Sequence, residues 1–311
     1  MSKIPIIAVV GPTASGKTEL AVSLAKRLDA EIISFDSMQI YKGMHIASAA
    51  PDIEEMQGVT HHLIEFLEPD TSFSVADFVK LAHKTAADIA ARGKRVIIAG
   101  GTGLYINSFL DNIIFGEEDT DSELRRRLND EYDTIGGEAM LEKLRGFDPA
   151  SADRLHPNNK KRVIRAFEVY YSTGSTITRQ QELSRGEETP YIPYMLGVTY
   201  KERELLYCRI NRRVDLMLKK GLLEEARAVF NAPKGTTAIQ AIGHKEFFPY
   251  FKGECELETA VELLKGETRR YAKRQLTWFR RDERINWIYR DETDDITARA
   301  VALLERNGYF G

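Results

Sequence analysis

Residues Ile4–Thr18 read IPIIAVVGPTASGKT. The unbroken apolar, branched run Ile4–Val10 predicts a strand buried on both faces, as strands of parallel sheets are. Gly11, Pro12, Thr13, Ala14, Ser15, Gly16, Lys17 and Thr18 then fit the pattern G-x-x-x-x-G-K-[ST]. In such a loop, backbone N–H groups wrap phosphate oxygens and the next helix start adds partial positive charge. Lys17 pairs with the phosphates, and the Thr18 hydroxyl can ligate Mg²⁺. A helix does follow, because Leu20, Ala21, Leu24, Ala25 and Leu28 share one face. The motif specifies a di- or triphosphate with Mg²⁺. It does not specify the molecule that carries the phosphates.

Outward from this stretch the same alternation continues. Glu31–Ser37 reads as a second short strand. Residues 74–92 read as a helix with Ser74 and Asp77 forming a capping box, stopped by Gly93. Arg95–Ala99 is a third buried strand, ended by Gly100-Gly101. Strand and helix in alternation predict an α/β fold, a parallel sheet with crossover helices on its faces. The composition changes at 117–133, where eight acidic residues and three arginines crowd together. From there to about 190 the pattern is helical. We therefore read 118–190 as an all-helical insertion into a core made of 1–117 and 191–311. Tyr191–Tyr200 returns as a strand, 201–284 is helical, Asn286–Tyr289 is an edge strand and 293–306 a last helix.

The 311 residues are 43% hydrophobic with a net charge of −3. Such a chain buries a sizeable core, and any surface for nucleic acid must be a local patch. Two cysteines, Cys208 and Cys255, are too few for a disulfide framework and fit a reducing compartment. The apolar run at the start is too short for a signal or a membrane span. The expectation is a cytoplasmic protein without a membrane segment, and a monomer, since nothing suggests an obligate assembly. His61-His62 are neighbours that point apart, with no third ligand at metal spacing. They read as structural, shaping the loop over the crevice.

Ligands of open parallel sheets bind beyond the carboxyl ends of the strands. Asp36-Ser37-Met38-Gln39 and the Gly100-Gly101-Thr102-Gly103 turn both fall there, beside the phosphate loop. Asp36 is either part of the Mg²⁺ surroundings or a base that takes a proton from a nucleophile. A GTPase is disfavoured by the lack of Asn-Lys-x-Asp, and a motor ATPase by a third strand ending in Gly and Thr. A small-molecule kinase fits the loop and Asp36. It does not explain the basic segments. Residues 265–284 hold eight basic and three acidic residues with Tyr271, Trp278 and Phe279 interleaved, and 201–220 hold seven basic and three acidic. Arg209 and Arg213 lie i, i+4 and could reach a diphosphate. Lys160, Lys161, Arg162 and Arg165 form a third cluster. Such basic stretches with aromatics suit RNA.

Together these residues resemble the tRNA dimethylallyltransferases, the IPP transferase family. The segments that carry the resemblance are GPTASGKT (11–18), DSMQIYKGMHI (36–46), HHLIEF (61–66), FSVADF (73–78), GGTGLY (100–105), KKRVIRAFEVY (160–170), GVTYKERELLYCRINRRVDLML (197–218), QAIGHKE (240–246) and YAKRQLTWFRRD (271–282). The pattern is the bacterial one, without the zinc-finger extension of eukaryotic relatives. The resemblance implies a P-loop kinase-like sheet with an inserted helical domain. It implies transfer of the dimethylallyl group from dimethylallyl diphosphate to the exocyclic N6 amine of adenosine 37, next to the anticodon of tRNA. Lys17, Thr18 and Mg²⁺ would then stabilise the departing diphosphate. Asp36 would take the amine proton, with Thr102 orienting the amine. A transferase acting on free adenine nucleotides is the neighbouring alternative. The tRNA contacts implied by the match are Asp36, Ser37, Met38, Gln39, Thr102, Arg125, Lys161, Arg162, Val163, Ile164, Arg165, Gln240, Ala241, Ile242, Gly243, His244 and Lys245. Two positions depart from the family pattern. Ala50 stands where the family has lysine, and His244 where it has tyrosine.

Overall fold

The computed structural model describes residues 3–113, 122–184, 188–232 and 241–310. Its strands are β1 (Ile4–Val10), β2 (Ala30–Phe35), β3 (His61–His62), β4 (Arg95–Gly100), β5 (Tyr191–Thr199) and β6 (Ile285–Tyr289). They form one parallel sheet in the order β3-β2-β4-β1-β5-β6. The helices are α1 (Lys17–Leu28), α2 (His45–Ser48), α3 (Ile53–Met56), α4 (Val75–Ala91), α5 (Gly103–Leu110), α6 (Ser122–Arg145), α7 (Pro149–Arg154), α8 (Lys160–Thr173), α9 (Ile177–Leu183), α10 (Arg203–Lys219), α11 (Leu222–Asn231), α12 (Phe248–Phe251), α13 (Leu257–Phe279) and α14 (Ile296–Arg306). Among the described residues no helix is long and apolar enough to cross a membrane.

The continuous apolar run of β1 is explained by its place. It pairs on one side with β4 and on the other with β5, and Ile6–Val10 are fully buried. Alternate residues serve opposite faces of the sheet. Ile7, Val9, Ile32 and Ile97 pack with Leu20 and Leu24 of α1 and with Ala300 and Leu304 of α14. On the other face Phe35 meets Phe78 of α4 edge-on at 5.0 Å and Phe109 of α5 at 5.1 Å. The register puts Val10 level with Gly100 and with Gly197, so the loops after β1, β4 and β5 leave from the same edge. That edge is where the site is built.

Local signals were accurate where a cap or a glycine marks the end. Ser74 Oγ accepts from Asp77 N at 3.1 Å and Asp77 Oδ2 accepts from Ser74 N at 3.0 Å, the reciprocal cap expected for α4. The second strand stops at Phe35, so Asp36 and Ser37 begin the loop. The His61-His62 pair is corrected. It is a two-residue edge strand beside Ile32 and Ile33, and His62 Nε2 meets Glu31 near the opposite end of β2 from the crevice. Two polar residues give no apolar alternation, which is why the sequence hides this strand.

The chain divides into two compact units, 1–110 with 190–311, and 111–189. The sequence-based boundary at 117/118 lies outside the described residues. The second unit is helical, with Leu128, Met140, Leu144, Val163 and Phe167 at its centre. Its first helix, α6, is broken at Gly136. Cys208 and Cys255 are both free thiols.

Candidate active site

A cavity of about 290 Å³ opens at the carboxyl edge of the sheet, within the first unit. Thr13, Ala14, Lys17 and Thr18 form one wall, and Asp36–Gln39 with Ala47–Ala49 form another. Two helical stripes close it. Ile210, Arg213, Val214 and Met217 come from α10, and Leu264, Thr268, Tyr271 and Gln275 from α13. Spacings of three, four and seven place each set on one helix face. Ala241, Ile242 and Gly243 complete the lining.

The phosphate loop is held open from several sides. Gly16 caps α1 with φ 90°, a left-handed conformation, and a Cβ there would come within 2.0 Å of Arg290 Nη1. Only glycine satisfies both conditions. Arg290 is itself fixed by Glu19 Oε2 at 2.7 Å. Gln275 ties two loops together, since its Oε1 accepts from Thr13 N at 2.8 Å and its Nε2 donates to Gly101 O at 3.0 Å. Lys17 Nζ donates to Pro12 O at 2.8 Å, which leaves it donors to spare.

Three buried charges face the cavity. Burial, reinforced by Arg213, brings the Lys17 amine down to about 7, with Asp36 pulling the other way. Burial also lowers the Arg213 guanidinium from its ordinary value. It raises the Asp36 carboxyl, against the backbone bonds and cations that oppose it. Asp36 Oδ1 accepts from Met38 N at 2.9 Å and Gln39 N at 3.4 Å. Among the described residues no hydrogen bond occupies Oδ2. Thr102 Oγ1 accepts from Ser37 N at 3.2 Å, so this hydroxyl orders the Asp36 turn. Two cations and one carboxylate in a cavity with apolar walls can hold an anion and accept a proton.

A family model described as IPP transferase matches residues 39–282. The tRNA dimethylallyltransferase of Acetivibrio thermocellus is 50% identical over 93% of each chain. The chain belongs to the IPP transferase family. The tRNA isopentenylpyrophosphate transferase of Bacillus halodurans is similar in structure, with TM-score 0.72, 42% identity, and coverage of 98% of this chain and 96% of that one. A eukaryotic dimethylallyltransferase acting on tRNA matches with TM-score 0.82 and 27% identity, over 99% of this chain and 80% of that one.

In this member of the IPP transferase family Thr13, Ala14, Lys17 and Thr18 of the phosphate loop share one cavity with Asp36, Ser37, Met38, Gln39, Arg213, Ala241, Ile242 and Gly243, while Gly11, Pro12, Ser15 and Gly16 shape the loop behind them and Thr102 borders the cavity through its bond to Ser37. Other expectations are corrected. Arg209 does not line the cavity. Its Nε is held by Ala14 O at 3.2 Å, to which it donates. His244 is 0% exposed and meets Glu225 at 2.8 Å, so it cannot touch RNA. Val163 and Ile164, 0% and 4% exposed, belong to the core of the second unit and present no surface. Arg125 is committed to a bidentate pair with Glu168. Lys161, Arg162 and Lys245 are exposed, and Arg165 is half-buried. Gln240 lies outside the described residues. Phe279 is core and unavailable for stacking, whereas Trp278 lies against Gly103 beside a shallow second cavity. Gln39 is less a ligand than a brace, because its amide bonds Ser34, Ser48 and Ala49.

Reading α13 as a basic helix took Tyr271 for an aromatic at an RNA surface and passed over Gln275, whereas both line the cavity. The signal was present: 264, 268, 271 and 275 form an uncharged stripe in a charged helix, and such a stripe marks the buried face.

Proposed function

We propose that this cavity transfers the dimethylallyl group from dimethylallyl diphosphate to N6 of adenosine 37 in tRNA, releasing diphosphate. The observation that carries the reading is Asp36 sharing one cavity with Lys17, Arg213 and the phosphate loop residues Thr13, Ala14 and Thr18. The loop amides, Lys17 and Arg213 bind the diphosphate and take up the negative charge that grows as the C1–O bond breaks. The N6 lone pair forms the new bond to C1, and the bonding pair of C1–O leaves with the diphosphate. The N6 proton passes to Asp36, whose raised pKa makes it a better acceptor. The apolar side chains Ile210, Val214 and Met217 of α10, with Leu264 of α13, help keep water from the carbocation-like centre. The adenine reaches this depth by leaving its stack.

Mg²⁺ fits the donor set. Thr18 at the cavity wall offers one hydroxyl, and Mg²⁺ commonly takes few protein ligands together with substrate phosphates and water. It would supply further neutralisation of the departing diphosphate. RNA docking is supported by α13 and the turn after it, where Lys273, Arg274, Arg280 and Arg281 are exposed and no carboxylate of the described residues pairs with them. The test is mass analysis of tRNA digested after incubation with dimethylallyl diphosphate and Mg²⁺. The expected product is adenosine 37 heavier by one dimethylallyl group. Unchanged tRNA with an active wild-type donor site, or modification of AMP in preference to tRNA, overturns the reading.

A further inference from the structure

We propose that His244 and Glu225 are positioning residues that fix the Ala47–Ala49 wall of the cavity, and so the seat of the donor's hydrocarbon group. The proposal rests on the function proposed above. It starts from an instability. Helix α2 has four residues, too few to hold itself, and its first N–H groups have no intrahelical acceptor. Glu225, on α11, supplies the acceptors. Its Oε2 accepts from Ile46 N at 2.8 Å and its Oε1 from Ala47 N at 2.9 Å. A carboxylate only accepts, so the imidazole Nε2 of His244 donates to Oε1, at 2.8 Å. Burial alone would raise the Glu225 pKa. The bonds from His244, Ala47 and Ile46 outweigh it and hold the group below the usual carboxylate range.

The wall is clamped from two further directions. Gly243, with φ 112°, lies so close that a Cβ there would come within 2.7 Å of Ala47 Cβ. At the far end Gln39 Nε2 donates to Ser48 O at 3.2 Å and Ala49 O at 3.0 Å. Ala47, Ser48 and Ala49 all line the cavity, whose apolar side also includes Ile210, Val214 and Met217. His244 is fully buried, and among the described residues its Nδ1 has no partner. Among the described residues the bond to Glu225 is therefore the polar contact through which the ring acts. Removing it loosens the wall without touching the phosphate loop.

The test uses the full-length protein. His244→Phe keeps an aromatic ring and loses the donor, whereas His244→Gln restores an N–H at similar reach. The expected result for His244→Phe is a kcat/KM for dimethylallyl diphosphate lower by roughly 10-fold or more, as for a lost bond to a charged group. Inorganic pyrophosphate, titrated calorimetrically, should bind within about threefold of wild type. Hydrogen exchange at residues 45–49 should quicken, and His244→Gln should recover most of the loss. Unchanged kcat/KM, an equal loss of pyrophosphate affinity, or a Gln variant no better than Phe overturns the proposal. Should His244→Phe fail to fold, Glu225→Asp, which withdraws the carboxylate by one methylene, takes its place with the same measurements and the same expected outcomes. A wild-type protein that leaves tRNA unmodified defeats the parent reading instead, and no variant is needed to see it.

Discussion

Glu31 and Asp36 stand at opposite ends of β2, and their surroundings treat them in opposite ways. Glu31 accepts from Arg92 Nη1 at 2.5 Å, Arg92 Nη2 at 2.7 Å and His62 Nε2 at 2.7 Å. The Arg92 bonds above all, with His62, hold its carboxyl down to about 2 despite burial. Asp36 receives two backbone N–H groups on one oxygen, and burial pushes its pKa up. No cation of the described residues comes within ion-pairing distance of it. Both groups bear the cost of leaving water. At the amino end of the strand the protein supplies the partners itself. At the carboxyl end it leaves one oxygen, Lys17 and Arg213 turned toward a cavity. A carboxylate completed by its own fold is architecture, and one left open faces something that arrives from outside.

The sharpest way to break this comparison is to neutralise the open member. Asp36→Asn should lower turnover by roughly 10²–10⁴-fold with little change in tRNA affinity, as for a general base. Rapid-quench turnover and filter binding measure the two, and near-normal turnover would put Asp36 in the same class as Glu31. Next comes Lys17. Its amine, brought down to about 7 by burial, loses its proton as pH rises from 6 to 8. Diphosphate favours the charged form, so binding at pH 8 should take up a proton that binding at pH 6 does not. Calorimetry in two buffers checks this, with Lys17→Met as the subtraction. That variant should also bind diphosphate roughly 10–100-fold more weakly.

The closed member makes the converse prediction. The folded pKa of Glu31 lies below its ordinary 4.5, so its contribution is whole above 4.5 and lost as pH falls through about 2. Glu31→Gln should lower Tm by a few degrees at pH 7, flatten the acid limb of the stability profile and leave turnover alone. A loss of turnover equal to that of Asp36→Asn would erase the distinction. The smallest effect concerns α13, where the same contrast recurs among cations. Lys265 pairs with Asp215 at 2.9 Å, while just past the helix Arg280 and Arg281 are exposed and meet no carboxylate of the described residues. Removing either arginine should reduce the slope of log tRNA affinity against log salt by about 1, and removing Lys265 by much less.

The elements most legible in sequence were those governed by near neighbours. The run Ile4–Val10, the loop through Thr18 and the Ser74–Asp77 cap each depend on residues a few positions apart, and periodicity and capping report such relations directly. Asp36 was legible too, because it follows a buried strand and strands of a parallel sheet end at one edge. His244 shows the limit. In sequence it sits among implied RNA contacts, yet it is spoken for by Glu225, and nothing in residues 240–246 names that partner. Arg209 and Arg213 are equal by spacing, and only the path of α10 past the loop sends one inside and the other out. Gln275 reaches Thr13 across most of the chain.

The sequence by itself determined the parallel α/β core, the glycine-rich loop that follows its first strand and the family. These follow from hydrophobic period and short-range backbone geometry, which any local window contains. The tertiary structure alone decided which polar groups are satisfied and which are left open toward the cavity. Satisfaction is a relation between distant segments, and burial turns an unfilled hydrogen-bonding position into a shifted pKa and a site.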